Sequence, residues 1–171
     1  MIRALPSPIS RLVQISRRFA REDSGAALVE FALVLPMMLL FIGLSIEGAR
    51  LFWAYQATVS GVRDAARYIS RAVDTDICTQ GGSLSQWEAE LSAIIAQARD
   101  GGTVFPAGVE VTAVSADLSC ASGYQGGTTA VATVTAQLRI DYPFGGFFAL
   151  VGLTLDSAST SVSDQTRIIG A

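Results

Sequence analysis

Gly25-Ala26-Ala27-Leu28-Val29-Glu30-Phe31, with the apolar run that continues to Ile46, decides how the rest of the chain is read. From Ala26 to Ile46 there are 21 residues, of which only Glu30 is charged. A helix rising ~1.5 Å per residue needs about 20 such residues to cross a bilayer, so the run qualifies as a membrane span. It is longer than the roughly 7–15 apolar residues of a signal-peptide core. Glu30 is the anomaly. A charge at the centre of a span costs on the order of 2.5–3.5 kcal/mol on insertion scales, which makes an intramembrane acid a functional candidate by default.

Charge on either side of the run sets its direction. Residues 1–25 carry Arg3, Arg11, Arg17, Arg18 and Arg21 against Glu22 and Asp23, a net of +3. Residues 26–171 carry seven arginines against 13 acids, a net of −6. Positive charge flanking a span stays in the cytoplasm. The expected layout is a cytoplasmic basic leader over 1–25, a transmembrane helix over 26–46, and a periplasmic or extracellular head domain over 47–171. That makes the chain a single-pass membrane protein with its N-terminus inside. The acidic head argues against nucleic acid as a partner.

The helical pattern does not stop at the end of the span. Leu51, Tyr55, Val59, Val62, Ala66, Ile69 and Val73 form one apolar stripe, with Arg63, Asp64, Arg67 and Arg71 on the opposite side. Span and stripe together predict one helix from about 26 to 72, ~70 Å long at 1.5 Å per residue. Pro36 falls inside it, as membrane helices tolerate. Trp53 lies where an amphipathic ring favours the interface, whereas Tyr55, on the stripe, is expected in the core of the head. Residues 74–82 read as a loop, and Ser85 with Glu88 has the spacing of a capping box for a short helix ending before Gly101-Gly102.

The remainder reads as β. Val109 to Ala116 and Leu153 to Val162 are strand candidates. Ala130 to Tyr142 is the clearest, its Ala, Val, Leu and Ile alternating with Thr, Gln, Arg and Asp. The apolar link Phe144-Gly145-Gly146-Phe147-Phe148-Ala149-Leu150-Val151 suits either burial under the sheet or a membrane or partner contact. The fold class is α+β: a long N-terminal helix, membrane span continuing into an amphipathic half, packed on an antiparallel sheet of about three strands, with one short extra helix.

Little catalytic chemistry is available. There is no histidine and no lysine, which excludes histidine triads, histidine metal ligands and lysine Schiff bases. The four Gly-Gly pairs lack the lysine and hydroxyl of a phosphate loop, and the acids lack calcium-loop spacing. No cofactor, metal, small-molecule substrate or enzymatic activity is expected. Cys78 and Cys120, 42 residues apart, cannot make a CxxC redox pair or a zinc site by themselves. In an exported head a disulfide is the natural reading, with two unpaired buried thiols as its alternative.

Gly25, Glu30 five positions on and aromatic Phe31 next, beneath a basic leader, resemble the processing site of a type IV prepilin. More narrowly, Gly25 through Pro36 followed by Gly48-Ala49-Arg50-Leu51-Phe52 is similar to the TadE-like pseudopilins, or minor pilins, of Tad (Flp) tight-adherence pilus systems. The resemblance implies that a prepilin peptidase cuts between Gly25 and Ala26. It also implies that Glu30, with Phe31 beside it, registers the subunit against other pilins and pseudopilins of the system. The alternative is an uncleaved, TadG-like membrane protein whose periplasmic domain binds a partner.

Overall fold

The computed structural model describes residues 23–97, 102–124, 127–149, 152–154 and 156–170. Most of the basic leader, residues 1–22, lies outside that set, as do Gly101 and the link residues Leu150 and Val151. The order is α1 (Asp23–Ala72), α2 (Ile77–Gln80), a 3-10 turn (Ser85–Trp87), α3 (Glu88–Ala96), β1 (Val109–Tyr124), β2 (Gly127–Asp141), α4 (Gly145–Ala149) and β3 (Ser157–Arg167). Two compact units divide the chain at 44/45. The first holds the apolar half of α1. The second holds the remaining turns of α1 and everything after it.

In the second unit the strands form an antiparallel meander in the order β1-β2-β3. β2 is the middle strand, and it follows the alternation of its sequence: Ala130, Ala132, Val134, Ala136, Leu138 and Ile140 are all buried. Val134 pairs with Ala116 on one side and Asp164 on the other, so the buried face of β1 is Val109, Val114, Ala116 and Leu118. Ile69, Val62, Leu84, Leu91 and Ile95 complete the larger core cluster against this face. A fully buried Ile or Leu contributes about 1.5–3 kcal/mol, so these side chains carry much of the head's stability.

The buried edge of α1 is rotated from the expected stripe. Ala54, Thr58, Val62, Ala65, Ile69 and Val73 are buried, whereas Leu51 is 39% and Tyr55 48% exposed. Tyr55 is therefore not a core residue. Small side chains at 54 and 58 leave room for Phe105, Leu138 and Ile140 in the smaller cluster, and Thr58 satisfies its hydroxyl on the Ala54 carbonyl, 2.8 Å away. Higher up, α3 crosses so close that a Cβ at Gly61 would lie 3.0 Å from the Ile95 Cα. A side chain there would need the α3 backbone to give by a few tenths of an ångström, so glycine suits the crossing.

Other expectations shift at element ends. The segment 74–82, read as a loop, contains α2. The capping box does not form: Ser85 opens a 3-10 turn, the N-caps of both turns lack a side-chain bond, and α3 begins at Glu88. Ser83 accepts the Ser85 N–H instead, at 3.2 Å. β1 runs eight residues past Ala116, and β3 lies later than Leu153 to Val162 because its register is set by pairing with β2. The apolar link folds partly into α4, with Phe148 buried.

Candidate functional site: an unpaired acid on the apolar helix, and a fastened head

The apolar half of α1 shows its side chains to the surroundings. Leu28, Leu33, Met37 and Phe41 are each about 70% exposed, as a helix meant for lipid or for other helices should be. Among the described residues one helix, Gly25–Ala72, is long and apolar enough to cross a membrane, which is compatible with a single-pass membrane protein. Its passage through Pro36 is uninterrupted helix. The proline removes one donor, a loss that membrane helices make good through neighbours.

Gly25, Ala26, Glu30 and Phe31 are all exposed on this helix. A Cβ at Gly25 would meet nothing within 4 Å. Glycine inside a helix costs roughly 0.5–1 kcal/mol relative to alanine, and no close contact among the described residues offsets that cost. Gly43 and Gly48 are equally open, but only Gly25 has an acid five positions on and an aromatic next to it. Ala26 and Glu30 are four residues apart, one helical turn, and so share a face. Glu30 has no hydrogen bond or ion pair among the described residues.

The second acid of α1 is the opposite case. Glu47 is 5% exposed and both of its oxygens are engaged. Oε2 accepts from Arg50 Nη1 at 3.1 Å, and Oε1 accepts the Phe144 backbone N–H at 2.9 Å. Arg50 donates in turn to the Ala107 carbonyl. One turn of helix thus holds the loop before β1 and the loop after β2. Gly108, at φ +80°, suits this close approach: a Cβ there would be strained by the backbone and would lie 3.3 Å from the Asp141 carbonyl oxygen and 3.4 Å from Arg50 Nη2. Sequence reasoning passed over this clasp. The signal was the i,i+3 spacing of Glu47 and Arg50 just past the apolar run.

Cys78 and Cys120 are bonded, with Cα atoms 5.9 Å apart. Cys120 lies in β1 opposite Ala130 rather than in a loop, on the face turned to the helices. The bridge joins α2, just past the end of α1, to the sheet. The chain's C-terminal end closes over the same region, where Ile169 N–H donates to the Ser70 carbonyl at 2.9 Å.

Residues 25–67 match the family model described as TadE-like protein. The match is consistent with a TadE-like pseudopilin of the Tad pilus system, and it bears out the resemblance seen in Gly25 through Pro36 and in Gly48 through Phe52. The family is pilus-associated and structural rather than catalytic. No curated protein and no solved structure matches the chain.

Proposed function

We propose, from the TadE-like character of residues 25–67, that this chain is a minor pilin or pseudopilin that takes part in assembly of a Tad-type pilus. A prepilin peptidase cuts after Gly25, and the arginine-rich leader stays on the cytoplasmic side of the inner membrane while the acidic head stands in the periplasm. The observation that carries the reading is the contrast between the two acids of α1. Glu47 is saturated by its own head, and Glu30, on the apolar half, has no partner within the described chain. Cleavage would create an ammonium at Ala26, one turn from Glu30. Packed among other helices, an unpaired charge is far costlier than a paired one. Subunits therefore stack so that the amine of one meets the Glu30 carboxylate of another, which fixes their axial register.

Intact-mass measurement of the membrane-extracted protein tests the first half. The expected mass is that of a chain starting at Ala26, and Gly25→Leu, which crowds the peptidase pocket, should retain the leader in full. A wild-type mass starting at Met1 would return the chain to the uncleaved, partner-binding reading. The second half rests on Glu30. Both Glu30→Gln and Glu30→Leu should insert and fold normally, since each makes the span more apolar, yet lose co-purification with other pilus subunits and most piliation. Normal piliation of both variants refutes the register mechanism.

A further inference from the structure

Among the described residues of the head, α1 presents a cationic face. Arg63, Arg67 and Arg71 recur every four residues on the exposed side of α1, so they form a row up the helix. Arg67 has a long, exposed pairing with Asp64 at 3.6 Å, and such surface pairs hold little. Among the described residues Arg63 and Arg71 have no ion pair. Residues 45–171 carry seven arginines and 12 acids, a net of −5. The row with Asp64 contributes +2, so the rest of the head stands at −7. On the head part of α1 the other acid, Glu47, is held by Arg50 and the Phe144 N–H, so it does not neutralise the row.

The complement lies just above. Past the end of α1 a notch of about 370 Å³ opens between Asp74, Asp76, Gln80, Ser85 and Trp87. Asp74 has no ion pair among the described residues, and Asp76 accepts from the Gln80 side chain. Two carboxylates, an amide oxygen and the partly exposed indole of Trp87 are groups that a guanidinium satisfies by charge, hydrogen bonds and stacking. Tyr68, on the row, packs edge-on against Trp87 at 5.9 Å between ring centres, so row and notch are one continuous surface.

We infer that this surface is a contact between successive copies of the chain, in which the notch of one head takes arginines from the row of the next. The inference rests on the pilin reading, because copies inserted the same way in one membrane have parallel helices. A twofold axis along such helices would set Arg71 against Arg71 and Asp74 against Asp74. Complementarity instead needs one copy displaced along the helix. Asp74 lies seven residues beyond Arg67, so the displacement is on the order of 10 Å at ~1.5 Å per residue. A contact of this kind joins two different patches and is heterologous rather than twofold.

The test uses the full-length, processed protein in a neutral detergent, followed by light scattering across concentration and salt. Wild type should self-associate, more weakly as salt rises. Arg67→Glu with Arg71→Glu should weaken association roughly tenfold or more, since like charges then face each other, and Asp74→Arg with Asp76→Arg should do the same. Mixing the two variants should restore association, because each then offers what the other's surface lacks. Restoration also shows that neither variant is misfolded. Association of either variant alone at wild-type strength, or a mixture that stays dissociated, overturns the contact. So does a wild type that is monodisperse when pure and loses a different pilus subunit in both variants, which would assign the row to that subunit. Glu30→Gln run alongside should associate like wild type, since detergent replaces its helix neighbours. The head contact and the Glu30 register therefore stand or fall separately.

Discussion

Glu47→Leu should lower the stability of the head by about 2–4 kcal/mol. Two penalties combine. The Phe144 N–H loses its acceptor in a buried setting, which costs about 1–3 kcal/mol. Arg50 loses its counter-charge, and breaking a buried pair costs roughly 3–5 kcal/mol when the remaining charge is trapped. Arg50 is not fully trapped, because its side chain is 20% exposed and it still donates to the Ala107 carbonyl, so its share falls to about 1 kcal/mol and the total to about 2–4 kcal/mol. For a head of this size the loss corresponds to a fall in melting temperature of roughly 8–20 °C. It would be followed by tryptophan fluorescence in detergent. Adding Arg50→Met should recover at most the Arg50 share, since the Phe144 N–H still lacks the Glu47 acceptor. A single variant that melts with the wild type would show that the clasp contributes nothing.

The disulfide should matter as much. Closing the 42-residue separation between Cys78 and Cys120 contributes about 4 kcal/mol in the chain-entropy treatment. Cys78→Ala with Cys120→Ala should therefore melt well below the wild type and be degraded faster by proteases. Reductant should lower the melting temperature of wild type only. Protein alkylated before reduction should show no free thiol. Two labelled cysteines in wild-type material from the periplasm would contradict the bridge.

The long helix, the middle strand and the α+β class were legible because each is written as periodicity over many residues. β2 is the clearest instance: six apolar residues at alternate positions can be buried together only on one face of a strand. The errors fall where periodicity ends or where size outweighs hydropathy. Tyr55 belongs to an apolar stripe by spacing, yet the sheet's close approach favours the neighbouring line through Ala54 and Thr58. The extent of β1 beyond Ala116 and the start of β3 depend on cross-strand pairing, which no single segment encodes. The clasp joins Glu47 to a backbone amide 97 residues away, and no local pattern marks such a partner. Gly25 and Glu30 stand out in a different way, by their resemblance to a prepilin processing site, and their roles are proposals for the mass and piliation experiments to decide.

The sheet side of the head is fastened at two well-separated levels, the clasp at Glu47 and Arg50 on α1 and the disulfide at Cys78 on α2, six residues past the end of α1. Between them lies the packed seam of Val62, Ile69 and their neighbours. A tension drawn along the helix axis therefore loads the head in shear and spreads over the whole seam at once, instead of peeling it from one end. The hydrogen bonds at the clasp yield and re-form, whereas the covalent link at the far end cannot slip. The head can give slightly at the end where a pull arrives and still remain attached to the helix that carries it.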